Sequence, residues 1–244
     1  MATARFFVDA LAASGTITIE GPEAKHINGV LRMDVGDQVI VFDGCGGEAI
    51  CQIASTSKKS VALEIVQRID TDRELSTQIH LAVALPKGDR QRTLVEGLVQ
   101  LGTTSLTPLA TTRGVAQPNS GALQRLERYV VEASKQSGRN TLMQIRPPLD
   151  VHALADTFPE SRRLVAHPYG APKRLADAVS TTAQNNSGTT FCIAIGPEGG
   201  FTDGEIEILA QAQWQPISLG RRILRVEMAA IMVVGAISAL TETS

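Results

Sequence analysis

Two glycine-containing stretches in the C-terminal half of the chain have the residue types of a ligand site. The first reads FCIAIGPEGGF, residues 191–201, in which a short apolar run ends at Gly196 and a carboxylate, Glu198, follows. The adjacent glycines Gly199 and Gly200 allow unusual backbone angles and the close approach of a ligand. A carboxylate would repel a phosphate, so the loop is suited to a ligand that lacks phosphate or carries positive charge. A tight turn between a strand and a helix is the simpler interpretation.

The second stretch reads SLGRRILRVEMAAIMVV, from Ser218, and combines a basic cluster with one carboxylate. Arg221, Arg222 and Arg225 follow a short apolar strand, and Glu227 precedes a segment that is apolar on almost every face. Arginines at the carboxyl end of a strand are suited to contact an anion or RNA. A solvated lead-in to a buried helix would explain the same residues.

Composition and simple motifs exclude several classes of protein. The chain has 244 residues and a net charge of -2, so it is long enough for one large or two small domains and is not a polycation as a whole. Neither glycine stretch has the pattern of a dinucleotide site or a P-loop, which leaves a nucleotide-dependent oxidoreductase a distant alternative. The three cysteines form no metal spacing and fit a reducing cytoplasm. Asp9 interrupts the apolar N-terminus, so no signal peptide is expected, and no apolar segment is long enough to span a bilayer.

The first seventy residues predict a small β-barrel, because short runs rich in Val, Ile, Phe and Thr alternate with turn residues. One helix, at about Glu23 to Leu31, interrupts these runs. The polar segment Thr71–Ser76 then breaks the pattern and predicts a linker, which sets the domain limits at 1–70 and 74–244. The predicted strands are RFFV, TITIE, DQVIVFDG, EAICQIAS and SVALEIVQRI.

From Ile79 onward the pattern indicates an α/β domain with a mostly parallel sheet, since apolar strands alternate with helical stretches. Ligands of such sheets bind at the carboxyl ends of the strands, where both glycine stretches lie. The predicted strands are IHLAVAL, SLTPLA, RLVAH, FCIAI and PISL, and the predicted helices are about Arg90–Leu101, Leu123–Gln136, Pro172–Ala183, Glu205–Gln213 and Arg225–Leu240.

The motifs taken together resemble the ribosomal RNA small subunit methyltransferase E family of the SPOUT superfamily. The resemblance is carried by GPEGGF and, after one helix, by LG-x-RILR-x-E. Further segments that match the family, in the family's sequence order, are HINGVLRMDVGDQVIVFDG, LPKGDR, LGTTSLTPL, KQSGRN with IRPP, and AHP. Each motif alone is weak, but their combination from His26 to Leu240 is specific.

The resemblance implies a C-terminal SPOUT domain with a trefoil knot, an N-terminal PUA-like barrel that binds RNA, and S-adenosylmethionine as cofactor. It also implies a homodimer in the cytoplasm that acts on small-subunit rRNA, free or assembled, and that needs neither a metal nor a membrane. The cofactor contacts that it implies are His167, Pro168, Gly196, Pro197, Glu198, Gly199, Gly200, Leu219, Gly220, Ile223 and Leu224. The RNA contacts that it implies are His26, Arg32, Lys87, Arg90, Arg113, Arg139 and Arg222.

The implied reaction is methyl transfer to N3 of a uridine, and Arg225 and Glu227 are the catalytic candidates. Arginine does not deprotonate in proteins, so Arg225 is expected to stabilise negative charge on the uridine. Glu227 is expected to orient Arg225 or to accept the N3 proton, and a carboxylate that stabilises a helix N-terminus explains it equally.

Some positions depart from the family's usual residues and keep a second hypothesis open. Val226 and Met228 stand where the family usually has threonines, and Gly97 stands where it usually has a lysine. The alternative to a methyltransferase is therefore an RNA-binding protein of the same fold whose methyltransferase activity is lost or altered.

Overall fold

The computed structural model describes residues 3–12, 14–167, 173–183 and 189–241. The chain forms two compact units. The first comprises Met1–Glu74 together with Ser134–Leu142, and the second comprises Leu75–Ala133 and Met143–Ser244. The sequence pattern gave no indication that residues 134–142 belong with the first unit. The limits 1–70 and 74–244 stay a prediction.

A five-stranded sheet forms the first unit, as the runs of β-branched residues predict. Its strands are β1 (Arg5–Phe7), β2 (Thr16–Glu20), β3 (Gln38–Phe42), β4 (Glu48–Thr56) and β5 (Ser60–Ile69), in the order β1-β3-β4-β5-β2. The β1–β3 pair is parallel and the others are antiparallel. Alternate residues such as Ile17 and Ile19 of β2 are buried in the core, which is the period-two pattern of a sheet with one solvated face.

One helical segment interrupts the strands, close to its predicted position. Helix α1 (Gly21–Lys25) continues through His26–Leu31 in π-helical geometry. The segment ends at Arg32, which has a left-handed backbone with φ 53°. The wider turn buries Ile27 in the core and leaves Val30 exposed.

Buried ion pairs join separate parts of the first unit. The Glu48 carboxylate is fully buried and is paired with Arg5 on one oxygen and Arg73 on the other. Arg5 also donates to the Gly138 carbonyl at 3.0 Å. Arg139 donates through Nε to Glu74 at 2.7 Å and pairs with it a second time through Nη2. These contacts explain why residues 134–142 belong with the first unit.

The second unit has a fully parallel sheet with helices, which confirms the predicted α/β fold. The sheet order is β11-β13-β10-β12-β6-β7-β8, and β9 pairs with β7. Its strands are β6 (Gln78–Val83), β7 (Ser105–Ala110), β8 (Gln144–Ile145), β9 (Leu149–Asp150), β10 (Arg162–Ala166), β11 (Lys173–Arg174), β12 (Thr190–Ile195) and β13 (Gln215–Ser218). The central strands β6 and β12 are buried from their second residue onward because both faces of a parallel sheet are covered.

The predicted helices of this unit are present with shifts of a few residues. The helices are α2 (Arg90–Gln100), α3 (Ser120–Ser137, whose last four residues belong to the first unit), α4 (Val151–Ala155), α5 (Leu175–Ala183), α6 (Asp203–Gln211) and α7 (Val226–Thr241). The predicted start of α5 at Pro172 lies outside the described residues. Helix α4 was not predicted, because it is a single turn that Asp150 caps by accepting the Ala153 N–H at 2.8 Å.

Helix α7 packs against α2, α5, β6 and β12. Gly97 lies at the contact of α2 with α7, where an added Cβ would be 2.6 Å from Ile231 Cδ1. Any larger side chain would meet the β-branched Ile231, which has little rotamer freedom. This contact gives a physical reason for glycine at a position where the resembled family usually has lysine.

Candidate functional site

A cavity of about 200 Å³ opens at the carboxyl ends of β10, β12 and β13 in the second unit. The edge agrees with the rule for parallel sheets, whose ligands bind beyond the strand ends. The described lining comes from the end of β10, from the segments after β12 and β13, and from the start of α7. The lining residues are Ala166, His167, Ile195, Gly196, Pro197, Glu198, Gly199, Gly200, Phe201, Leu219, Gly220, Arg222, Ile223, Leu224, Val226 and Ala229.

The loop between β12 and α6, residues 196–201, is a tight glycine turn. The Gly200 N–H donates to the Pro197 carbonyl at 2.8 Å, and Gly200 has φ +69°, which disfavours any other residue. A Cβ on Gly196 would come within 2.9 Å of the Phe201 ring. A Cβ on Gly200 would meet no atom within 4 Å, so this backbone faces open space. We call residues 196–201 the glycine loop.

Neighbouring side chains hold the glycine loop in place. Arg113 donates through Nη1 to the Gly199 carbonyl at 2.9 Å. Glu205 is buried and accepts the N–H groups of Thr112 and Thr202 at 2.8 and 2.7 Å, together with both of their hydroxyls. Burial alone would raise the pKa of Glu205, but these hydrogen bonds outweigh it and hold the pKa below the ordinary value. Glu205 is therefore a structural carboxylate, and together with Thr202 it forms the reciprocal capping box at the start of α6.

The loop between β13 and α7 forms the opposite wall. Gly220 has φ +107°, and its N–H donates to the Ser218 hydroxyl at 3.3 Å. Ile223 is 90% exposed although it lines the cavity. The Ala229 N–H donates to the Arg225 carbonyl at 2.8 Å and begins the first turn of α7.

One arginine stands between two carboxylates beside the cavity. Arg90 Nη1 donates to Glu198 Oε1 at 2.7 Å and lies 4.0 Å from Glu227 Oε2. Glu227 is buried, and its Oε2 accepts no hydrogen bond from the described residues. The three side chains come from α2, the glycine loop and α7. We call Arg90, Glu198 and Glu227 the open network, because one oxygen stays without a hydrogen bond.

The structure brings ten of the eleven predicted cofactor residues to this one cavity. The eleventh, Pro168, lies outside the described residues. His167, which precedes it, lines the cavity, and its N–H donates to the Ile217 carbonyl at 3.1 Å. That these residues bind a cofactor stays a prediction.

The two catalytic candidates have different surroundings, and neither belongs to the lining that the described residues form. Leu224 and Val226 line the cavity, whereas Arg225 between them is exposed beside it. Glu227 is buried next to Arg90. Val226, one of the two positions where the family usually has threonine, contributes an apolar side chain to the wall. Met228, the other, is exposed.

The predicted RNA contacts separate into accessible and buried residues. In the second unit, Lys87, Arg113 and Arg222 are exposed, and in the first unit His26 and Arg32 are exposed. Arg139 does not fit its predicted role, since its side chain is 5% exposed and its guanidinium is paired with Glu74.

Sequence reasoning missed several features of the site. Phe201 and Ala229 line the cavity, but an apolar residue in a loop or buried helix carries no signal of its own. The support of the glycine loop by Arg113 was missed because it runs from side chain to backbone. Among the described residues no group of three or more His, Cys, Asp or Glu side chains could hold a metal ion. Within the same part of the chain, no helix has the length and apolar character needed to cross a membrane.

Comparisons with known proteins agree with this geometry. Residues 73–238 match the RNA methyltransferase domain family, and residues 19–66 match the RNA methyltransferase PUA domain family. The chain is 31% identical to ribosomal RNA small subunit methyltransferase E of Bacillus subtilis (strain 168) over 251 residues, 98% of this chain and 97% of the relative.

Two solved structures are also similar, each with a TM-score of 0.88 and with 98% of both chains covered. One is a ribosomal RNA small subunit methyltransferase E from Neisseria gonorrhoeae bound to S-adenosyl methionine, 27% identical. The other is a methyltransferase from Legionella pneumophila in complex with the cofactor SAM, 28% identical. With an identity of 31% over almost its whole length and a methyltransferase domain over most of it, this chain belongs to the ribosomal RNA small subunit methyltransferase E family.

Proposed function

We propose that the protein transfers a methyl group from S-adenosylmethionine to N3 of a uridine in small-subunit rRNA. The observation that carries the proposal is the cavity at the strand ends, formed by the glycine loop and residues 219–226. The two similar structures at a TM-score of 0.88 hold this cofactor.

The chemistry of the cavity fits S-adenosylmethionine. Glu198 supplies a carboxylate where a phosphate would be repelled and a cation would be attracted. A Cβ at Gly200 or at Gly220 would meet no atom within 4 Å, so both backbones are open to an adenosine. The apolar side chains of Ile195, Leu219 and Leu224 suit a purine ring. The cofactor, when bound, supplies a methyl group on a cationic sulfur.

The residues beside the cavity suit the transfer. The reaction forms a bond from uridine N3 to the methyl carbon, breaks the bond from that carbon to sulfur, and releases the N3 proton. Arg225 is exposed between two residues that line the cavity and can stabilise negative charge on the uridine as that proton leaves. Glu227 is the nearby carboxylate that can orient the site or accept the proton. Holding the uridine in line with the methyl–sulfur bond is the remaining requirement.

Exposed basic residues support rRNA as the second substrate. Arg222 lines the cavity, Arg113 lies against the glycine loop, and Lys87 follows β6 at the same edge of the sheet. In the first unit, which includes the match to a PUA domain, His26 and Arg32 are exposed at the π-helical segment. Together these residues support an RNA contact on each unit. The RNA would be either rRNA in the cytoplasm or rRNA in the assembled small subunit.

Three measurements test this function. Calorimetry should show a saturable S-adenosylmethionine site without added metal, and rRNA from cells that lack the gene should lose one methyluridine. Arg225→Ala should lower the single-turnover rate by about 10²–10³-fold with little change in cofactor affinity. Absence of cofactor binding by the wild-type protein would contradict the proposal.

An RNA-binding protein without this activity is the second candidate, and Val226 is the observation that favours it. The family usually has a hydroxyl at this position, and here an apolar side chain lines the cavity. The calorimetry separates the two candidates, since a protein that only binds RNA would retain RNA affinity and show no cofactor site.

We further propose that the protein is a homodimer joined through α7. This helix exposes Met228, Met232 and Leu240 at 50%, 43% and 45%, and Ile223 precedes it with 90% exposure. Monomers rarely leave a row of large apolar side chains in water, and a second copy would bury it. Sedimentation should give twice the mass of 26.0 kDa at micromolar concentration. A monomer there would overturn this part of the proposal.

The trefoil knot that the resemblance implies is also proposed for the second unit. The support is that α7 packs back on β6 and β12 after the chain has formed β13 at the far side of β10. A chain pulled from both termini should then stop short of the full extension of 244 residues, at roughly 3.3–3.6 Å each, because a tightened knot shortens it. Full extension would show an unknotted chain.

A further inference from the structure

Arg90 is the only described cation that forms an ion pair with Glu227, and it is also hydrogen-bonded to the glycine loop. Hydrogen bonds of the neighbouring residue fix its position. Gln91, the next residue, donates through Nε2 to the Pro86 carbonyl at 2.8 Å and accepts from Arg125 Nη2 at 3.0 Å. The start of α2 is therefore braced, and the Arg90 side chain extends from a rigid base.

The charges around Arg90 argue against a phosphate contact. One guanidinium stands between two carboxylates, so the open network carries a net charge of -1 when both carboxylates are ionised. A phosphate that approached Arg90 would meet this net negative charge. The burial of Glu227 argues in the same direction, because a buried carboxylate with an oxygen that lacks a hydrogen bond needs a nearby cation.

We propose that Arg90 is a positioning residue that joins the glycine loop to the buried Glu227 carboxylate, rather than an RNA contact. Through Glu198 it sets the loop that forms one wall of the cavity, and through its charge it compensates Glu227. This inference rests on the proposed function for its activity readouts, but the pairing itself is testable without any ligand.

The ligand-free test is a double-mutant cycle on thermal unfolding. Arg90→Gln in the wild-type background leaves Glu227 buried without a cation and should lower the Tm. In a Glu227→Gln background the same substitution should change the Tm much less, because no buried charge is left uncompensated. Additive changes in Tm would overturn the pairing, whatever the protein's activity.

Activity then separates positioning from RNA binding. Arg90→Gln should slow single-turnover methyl transfer at least tenfold, and in a Glu227→Gln background it should slow it less than threefold. Arg90→Lys should recover only part of the rate, because lysine lacks the planar donor fork. Arg92→Gln is the matched control on the same turn of α2, since Arg92 is exposed and pairs with Glu96, and it should leave rate and cofactor affinity unchanged.

RNA affinity measured across salt concentrations completes the test. If Arg90 is a positioning residue, Arg90→Gln leaves the slope of log affinity against log salt unchanged. A slope reduced by about 0.7–0.9, with additive rate effects, would identify a lost phosphate contact and overturn the inference. Failure of the wild-type protein to bind cofactor would instead contradict the proposed function and leave the unfolding cycle to decide the pairing.

Discussion

Each unit of the protein contains an arginine–glutamate network, and the two networks are built in opposite ways. In the first unit, Glu48 is paired by Arg5 on one oxygen and by Arg73 on the other. We call these three residues the closed network. In the open network of the second unit, two carboxylates share the single guanidinium of Arg90, and Glu227 Oε2 accepts no hydrogen bond from the described residues.

Under the proposed function, the difference separates a structural role from a functional one. Two cations occupy both oxygens of one buried carboxylate, so the closed network joins β1, β4 and the segment after β5, although Arg5 Nε makes no hydrogen bond within the described residues. One cation for two carboxylates leaves a net negative charge, and because Glu198 lines the cavity, we propose that a cationic ligand completes the network there. The number of partners for each carboxylate therefore says more about its role than burial does.

Loss of the Glu48 carboxylate is the strongest test of the closed network. Glu48→Gln leaves the largely buried guanidinium of Arg5 without its counter-charge, and the free energy of unfolding should fall by about 3–5 kcal/mol in denaturant titrations. Glu64→Gln, an exposed position on β5, is the control and should change it by less than about 0.5 kcal/mol. An equally small effect for Glu48→Gln would show that burial of the pair does not stabilise the unit.

Glu205, whose two oxygens both accept hydrogen bonds, tests whether a fully hydrogen-bonded buried carboxylate also stabilises the second unit. Its lowered pKa means that its contribution is present above the usual pKa of a glutamate and is lost as the pH falls through the lowered value. Glu205→Gln should therefore cost about 2–3 kcal/mol at pH 7, and the Tm difference from the wild type should close as the pH approaches 2. Glu207→Gln, exposed on the same helix, should show no such convergence. A Tm difference that is constant with pH would contradict the assignment.

The elements and the cavity were predictable from sequence because their signals are local. Runs such as FCIAI followed by GPEGG identify a buried strand and its ligand loop within eleven residues, and the cavity formed where they predicted. The roles of the arginines were not predictable in this way. Arg139 pairs with Glu74, which is 65 positions away in the sequence, and Arg90 pairs with Glu198, which is 108 positions away. No local sequence pattern distinguishes a buried arginine from an exposed one. For the same reason the sequence shows only that Gly97 replaces the family's usual lysine, and not that its neighbour is Ile231 of α7.

The packing of α2 on α7 sets the spacing of the open network, since Arg90 begins one helix and Glu227 lies in the first turn of the other. Gly97→Val would overpack Ile231 and should cost about 2 kcal/mol of unfolding free energy while slowing methyl transfer. Gly235→Ala in the same pair of helices is the control. Its Cβ would lie 3.7 Å from Leu101, an ordinary contact, so better helix propensity should stabilise the protein by up to about 1 kcal/mol. Equal effects at the two glycines would show that the helix spacing is not constrained at Gly97.

The smallest changes in stability are expected from substitutions in the glycine loop. They test whether the open network holds the loop in its conformation. Gly200→Ala must adopt φ +69°, so it should cost about 1 kcal/mol of stability, and its methyl group would project into the cavity and weaken cofactor binding. Gly199→Ala is the matched control, because its Cβ would meet Arg113 at 3.4 Å and its backbone angle is ordinary, and stability should change by less than about 0.5 kcal/mol.

Arg90 through Glu198 and Arg113 through the Gly199 carbonyl hold this loop from two sides, so the strain at residue 200 cannot relax by a backbone shift. In an Arg90→Gln background the loop loses one of these supports, and the stability cost of Gly200→Ala should shrink. An unchanged cost in that background would show that Arg90 does not hold the loop.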